Sequence, residues 1–467
     1  MPIVASYAQA ASATVGSHLN LAASRWTEWP IPKSNRPSPI ACMAATYLDE
    51  RDIAIQPVPL SAVALLVSRD PGKPRLAHLM LQTQPAPMRV QGHARKGDQP
   101  MECLLHRVPM RDPGDASAIL RLIDEGLISP DEIVAIFGKT EGNGCVNDFT
   151  RGYATVAVSV ALAKYLGIPA DEVPSRVAMV MSGGTEGGFS PHFLVFAVRE
   201  CEVTPGDSKS LAIGKASTQV LLPEQIGRMF QVNATATAVR EAIKRAAIAD
   251  HADVHWVQIK CPLLTKERIV EAQSRGEITV TDDPYTSMAM SRAAAALGVA
   301  VTLGEVDPAT LDDRAIGRDF GLWSSCASPS AGVELMHSEV IVLGNSSRWS
   351  GDDIVAHSVK RDAIDLPSLI GVLQGLDFTL AGQLDEASVP RIRAVLAKAE
   401  ASRSGMIRGA RQIMGDDSDI QASRHARAFV GGVLAGVIGR TDLFVSGGAE
   451  HQGPEGGGPI AVIARRR

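Results

Sequence analysis

Three copies of one pentapeptide constrain this chain more than any other feature. Ser182-Gly183-Gly184-Thr185-Glu186 recurs as Ser330-Ala331-Gly332-Val333-Glu334 and as Ser446-Gly447-Gly448-Ala449-Glu450. Each copy precedes a short apolar run of buried-strand type, at 193–198, 340–343 and 460–463. A single recurrence could be chance. Three in the same local setting read as an internal triplication, and a repeated supersecondary unit buries its apolar face only against its neighbours. Upstream of each serine lies an apolar run ending in lysine: Lys139, Lys260 and Lys398. Between lysine and serine, a segment of helical character carries an arginine: Arg151, Arg292, and either Arg424 or Arg427. Each unit therefore offers a lysine, an arginine and a serine in that order.

These markers divide the chain into units at residues 101–207, 208–346 and 347–467, with residues 1–100 outside the repeat. The first unit reads as a strand, a helix at 115–126, a strand at 132–137, a helix at 149–166, and strands at 176–181 and 192–198. In the second, 211–213 reads as a strand, 224–230 and 238–249 as helices, and a helix through Arg292 ends at Leu297-Gly298. The third begins near Ile354, with a helix at 366–376 and a flexible-looking polar insertion at 402–419. Strands alternate with helices, so the expected class is α/β, built of α+β repeats. Three such units most simply surround one central site with approximate threefold symmetry.

Composition narrows the function classes. The 467 residues are 45% apolar and 21% charged, with a net charge of −5. That balance suits a globular protein and provides no electrostatic footprint for nucleic acid. No apolar run approaches the ~18 residues of a spanning helix, so no membrane partner is expected. Six cysteines lie without CxxC spacing, which suits a reducing, cytoplasmic setting. The first hundred residues are rich in Ala, Ser, Pro and Gln. Two readings stand: Met101 is the biological start, or residues 1–100 are an extension or small extra domain.

A serine hydroxyl is a weak nucleophile and needs a base, which a lysine held neutral by its surroundings can be. Neighbouring cations, here two more lysines and three arginines, lower a lysine's pKa. Glycines after the serine let backbone N–H groups approach an oxyanion. The bland alternative for each Ser-Gly-Gly is a tight turn feeding a strand, which three lysine-preceded copies make the weaker reading. Gly138-Lys139-Thr140 fails as a P-loop because Ile133 stands where glycine is required. Gly142-Asn143-Gly144 fails as a dinucleotide fingerprint because Asn147 replaces the third glycine. His192, His337 and His451 follow the serines at unequal distances and read as local hydrogen-bonding residues. Cys261 reads as a packed core cysteine. In the loop 450–459, backbone carbonyls and Gln452 with one carboxylate could wrap Mg²⁺ or Ca²⁺; from spacing alone a glycine-rich turn is the favoured reading.

At Gly138–Gly144, Asn147–Arg151, Met181–Glu186 with Ser190-Pro191-His192, 257–264, 330–335, 417–420 with 424–427, and 446–459, the chain resembles the cyanuric acid hydrolase/barbiturase family of ring-opening amidohydrolases. The resemblance covers about residues 101–467. It implies three α/β units around a barrel-like centre with outer helices, opening cyanuric acid to carboxybiuret, which decarboxylates to biuret. It makes Ser330 the nucleophile and Lys260 its base. It assigns substrate contacts to Arg151, Ser182, Gly183, Arg292, Ala331, Ser446 and Gly447, with Arg427 preferred to Arg424 as the third arginine. The Lys139 and Lys398 pairs bind and polarise the other ring carbonyls. It places a structural Mg²⁺ or Ca²⁺, and no organic cofactor, at Glu400, Ala449, Gln452, Gly453, Pro454 and Gly457. It also implies a homotetramer. Barbituric acid is the rival substrate, and a non-catalytic cyclic-imide binder is the rival of another class.

Overall fold

The computed structural model describes residues 100–202 and 208–467. The readings of the N-terminal hundred, up to residue 99, lie outside the described residues. The first unit runs β1 (Met101–Pro109), α1 (Ser117–Asp124), β2 (Ile133–Thr140), α2 (Phe149–Leu166), α3 (Val173–Arg176), β3 (Ala178–Gly183) and β4 (His192–Glu200). The second runs β5 (Ser210–Ser217), α4 (Met229–Arg245), β6 (Val254–Pro262), α5 (Lys266–Ser274), α6 (Pro284–Leu303), β7 (Ala327–Gly332) and β8 (Glu339–Ser346). A short β9 (Trp349–Ser350) precedes the third: β10 (Asp353–Lys360), α7 (Leu366–Gly375), β11 (Ile392–Ala399), the hairpin β12 (Met406–Ile407) and β13 (Ala410–Arg411), α8 (Ala422–Ile438), β14 (Phe444–Gly447) and β15 (Gly458–Arg465).

The result is a mixed α/β fold of several sheets. Their strand orders are β3-β2-β4-β1-β9, β7-β6-β8-β5 and β14-β11-β15-β10, besides the small hairpin. In each large sheet the lysine strand runs parallel to the serine strand and antiparallel to the unit's last strand. The parallel register sets Lys139 opposite Ser182, Lys260 opposite Ser330 and Lys398 opposite Ser446. Each lysine strand also has a register shift near its start, at Ile133/Ala135, Val254/Trp256 and Ile392/Ala394. Among the described residues these sheets do not close into one barrel, so the barrel-like centre is corrected to separate sheets that share a core.

That core takes Leu105, Phe137 and Phe196 from the first unit, Ile213, Trp256 and Leu343 from the second, and Leu396, Phe444 and Ile463 from the third. Phe137 packs on Phe196 at 4.9 Å and on Phe444 at 5.8 Å between ring centroids. Helices cover the other faces: α1 and α2 in one cluster, α7 and α8 in another. Burial on both faces explains why these strands read as continuous apolar runs rather than alternating ones.

Some sequence readings need correction. The helices expected at 224–230 and 238–249 are a single-turn 3₁₀ segment at Pro223–Gln225 followed by one helix, α4. Gly298 does not end its helix, since α6 continues to Leu303 and stops at Gly304, φ 74°. A Cβ at Gly298 would stand 2.7 Å from the Val232 carbonyl, so this glycine is where α6 and α4 cross closely. α6 is apolar and long enough to cross a membrane by composition, but it is largely buried in the protein. The insertion at 402–419 contains the hairpin β12–β13, and Glu455 outside it accepts from Ser404 N at 2.9 Å.

Candidate active site

Parallel register brings each serine beside a lysine, and the helices bring the arginines to the same place. Arg151 projects from α2, Arg292 from α6 and Arg427 from α8. With Ser182, Ser330 and Ser446 they line one polar cavity, completed by Gly144, Gly183, Met288, Ala331 and Gly447. Every serine and arginine expected of the site is there. Arg424 is not: its side chain is 40% exposed against 3% for Arg427. A more open cleft elsewhere is bordered by Arg361, Asp362, Glu400, Arg408 and Glu455 and contains none of the repeated residues.

The pentapeptide glutamates, to which the sequence reading assigned no role, hold the arginines, each across a unit boundary. Arg427 binds Glu186 through Nε at 2.9 Å and Nη2 at 2.5 Å. Arg292 binds Glu450 through Nε at 2.8 Å and Nη2 at 2.7 Å. Arg151 approaches Glu334 through Nε at 3.3 Å, while its Nη1 and Nη2 donate to the Ala331 carbonyl (3.1 Å) and the Cys145 carbonyl (2.7 Å). The third unit thus reaches the first, the first the second, and the second the third. A glutamate in every copy and an arginine in every unit was the available signal. Met288, one turn before Arg292 on α6, and Gly144 were also missed.

Lys139, Lys260 and Lys398 are buried. Lys260 donates to the Met181 carbonyl at 2.9 Å and Lys398 to the Pro329 carbonyl at 3.0 Å, in each case the residue before the preceding unit's serine. Lys139 instead donates to Ser182 Oγ at 3.4 Å and to the Gly183 carbonyl at 3.3 Å. Burial pushes all three lysines below their usual pKa. Arg427 adds to the effect at Lys139, and Lys398, with Arg292 beside it, falls to about 7. The lowering favours the neutral form, the form a base for serine needs. Ser182 and Ser446 share a hydrogen bond at 2.9 Å and are buried. Ser330 is partly accessible, and its hydroxyl has no hydrogen-bond partner among the described residues.

The histidines lie outside the cavity lining. His192 Nδ1 bonds the Ser190 carbonyl, His337 pairs with Glu339, and His451 bridges Gly317 N and the Leu322 carbonyl. Cys261 is buried in the core. In the C-terminal loop, Gln452 is buried with its Oε1 unpartnered. Glu400, just after β11, has its carboxyl raised to about 7, first by burial and then by Glu450. Gly453 has φ 96°, and a Cβ at Gly457 would strike the Lys360 carbonyl at 1.9 Å, so this loop requires glycine. An unpartnered amide oxygen in a glycine-shaped loop, with the Glu400 carboxylate that Arg403 engages through one oxygen at 3.0 Å, offers oxygen donors of the kind a hard cation takes.

The family model described as "Amidohydrolase ring-opening protein" matches residues 104–465. The chain belongs to this family of ring-opening amidohydrolases. It is 50% identical over 368 residues to a cyanuric acid amidohydrolase of Enterobacter cloacae, covering 78% of this chain and all of the relative. It is 52% identical over 362 residues to that of Azorhizobium caulinodans, covering 78% and 98%. A solved cyanuric acid hydrolase structure aligns at TM-score 0.76 and 48% identity, and one from A. caulinodans at 0.72 and 52%; each covers 78% of this chain and 99% of the other.

Proposed function

We propose that the protein opens the ring of cyanuric acid by hydrolysis, giving carboxybiuret, which loses CO₂ to become biuret. The observation that carries this is the convergence of Ser182, Ser330, Ser446 and Arg151, Arg292, Arg427 on one cavity. It occurs in a chain half identical to enzymes named for that substrate. Cyanuric acid presents three equivalent carbonyls and three ring N–H groups, and three like units offer each carbonyl the same serine and backbone set. The matching strand orders and the circular Arg–Glu pairing support an internal triplication with approximate threefold symmetry about this cavity.

Chemistry needs one unit to differ, and Ser330 is our nucleophile. Its hydroxyl is uncommitted, whereas Ser182 and Ser446 bond each other and are released to two ring carbonyls as substrate enters. Lys260, whose charged form burial disfavours, takes the Ser330 proton as Oγ bonds the third carbonyl carbon. Collapse breaks the ring C–N bond, and Lys260 returns the proton to the departing nitrogen. Water then hydrolyses the acyl-enzyme. Arg151, Arg292 and Arg427, with the Gly183, Ala331 and Gly447 backbone, hold the carbonyl oxygens. Lys139 and Lys398 polarise the two carbonyls not attacked.

Mg²⁺ or Ca²⁺ would be held by Glu400 and Gln452 with backbone carbonyls of Ala449, Gly453, Pro454 and Gly457. When bound, it would supply a fixed positive charge that stiffens the loop carrying Ser446. A homotetramer in the cytoplasm completes the proposal. The test is loss of ultraviolet absorbance with cyanuric and barbituric acids side by side. Cyanuric acid is expected to turn over, and Ser330→Ala to cut kcat by at least about a thousandfold while retaining ligand binding. Turnover of barbituric acid alone, or an undiminished S330A enzyme, would refute the reading.

A further inference from the structure

We propose that Glu334 is a positioning residue for the ring opening: its carboxylate holds the Lys260 amine and balances the ammonium formed when Lys260 takes the Ser330 proton. This rests on the function proposed above. Two observations separate Glu334 from its counterparts in the other units.

The first is pairing. Both oxygens of Glu186 accept from Arg427 and both oxygens of Glu450 from Arg292, and Glu186 accepts from Arg424 as well. Glu334 stands 3.3 Å from Arg151 Nε and 3.4 Å from Lys260 Nζ, and neither of its oxygens, nor Arg151 Nε, completes an aligned hydrogen bond. Among the described residues, no other pentapeptide glutamate forms an ion pair with a lysine. Arg151 directs its two terminal nitrogens to carbonyls instead, so the carboxylate is shared with the lysine of its own unit.

The second is backbone shape. Gly184 and Gly448 adopt φ of 109° and 75°, and the space a Cβ would need there is filled by the guanidinium groups of Arg427 and Arg292. Gly332 lies outside the left-handed region. Its missing Cβ would stand 1.7 Å from Glu334 Oε2 and 2.8 Å from Lys260 Cε. This loop therefore folds its glutamate back over its own lysine, and only glycine at 332 permits it.

The charged and titratable groups facing Lys260 are Glu334, Arg151 from α2, and Cys261 beside it on β6. Burial and Arg151 disfavour the ammonium, while Glu334 favours it. Burial alone would make Lys260 a ready acceptor but a poor holder of the proton. The carboxylate stabilises the ammonium between Ser330 Oγ–C bond formation and protonation of the leaving ring nitrogen. Glu334 stays ionised throughout, and the only proton moved travels from Ser330 through Lys260 to nitrogen.

The test is the pH profile of cyanuric acid turnover in the full chain, for wild type, Glu334→Gln, Gly332→Ala and Glu186→Gln. Glu334→Gln is expected to lower kcat by about ten- to a hundredfold and to move the acid limb of kcat/KM down by about one pH unit. Gly332→Ala, which displaces the carboxylate, should change both in the same direction. Glu186→Gln should raise KM through Arg427 and leave the limb where it is. A Glu334→Gln enzyme that changes only KM makes Glu334 an arginine anchor and overturns the inference while sparing the function. If Glu334→Gln fails to fold, Glu334→Asp decides: lowered kcat with the limb retained supports the role, and a change in KM alone overturns it. Absence of turnover by the wild-type chain overturns both this inference and the function beneath it.

Discussion

Arg424 and Arg427 sit one turn apart on α8 and both reach Glu186, yet burial separates them. Arg427 is enclosed at the cavity with two bonds to the carboxylate, while Arg424 adds one bond at 3.1 Å from an exposed position. An exposed ion pair contributes little, and a desolvated guanidinium aimed at developing charge contributes much. Arg427→Met is therefore expected to lower kcat/KM by about a hundredfold, and Arg424→Met by less than about tenfold. Steady-state kinetics on the two variants checks this. The arginine candidates were legible because each unit repeats the order Lys, Arg, Ser. The glutamate partners were not, because the residue each arginine meets belongs to another unit, and sequence distance carries no information about that contact.

At the scale of elements, Asp148 shows how one cap builds a site wall. Its carboxylate accepts from Thr150 N at 3.1 Å at the start of α2, from Thr150 Oγ1 at 2.6 Å, and from Gly144 N at 2.8 Å. A Cβ on Gly142 or Gly183 would lie within 2 Å of it, at 1.8 and 1.7 Å, which accounts for glycine at both positions. Asp148→Ala removes the cap and leaves buried N–H groups unpaired, so a loss of about 2–3 kcal/mol is expected in urea denaturation. KM should rise as Gly144 and Arg151 shift. The C-terminal loop gives a second expectation. Chelation should lower the thermal midpoint, added Mg²⁺ or Ca²⁺ should restore it, and Gln452→Ala should be insensitive to both. Helix ends were readable where local chemistry sets them, as at Asp148 and Gly167, φ 65°. The crossing of α4 over Gly298 was not, because a glycine needed for close packing resembles one that stops a helix.

Across the whole molecule, each unit grips the preceding one with the first strand of its sheet. Arg107 on β1 donates to the carbonyls of Ile392 and Arg393 on β11 at 3.2 and 3.0 Å, and Lys215 on β5 donates to the Arg176 carbonyl at the end of α3. His357 on β10 meets His255 on β6, Nδ1 to Nδ1 at 2.8 Å. One ring must donate and the other accept, so the pair cannot be doubly protonated and keep this bond. Burial, aided by His357, lowers His255 to about 4, and burial lowers His357 as well. Unfolded histidine titrates near ~6.5, so between about pH 6.5 and 4 the unfolded chain binds more protons and stability falls as pH drops. Relative to His255→Gln, the wild type should lose about 2 kcal/mol between pH 7 and 5, read from denaturant midpoints at the two pH values.

The sequence by itself determined the recurring pentapeptide, the order of lysine, arginine and serine around it, and most strands and helices. Those properties rest on local periodicity, caps and turn chemistry, which act within a few residues. The register that sets each lysine opposite its serine was implicit in the equal layout of the units. Only the tertiary structure decided that the sheets share a core without closing a barrel among the described residues, and which glutamate meets which arginine. It also decided that the second pentapeptide bends its glutamate onto Lys260. These are contacts between segments tens to hundreds of residues apart, and their geometry is set by packing that no local pattern encodes.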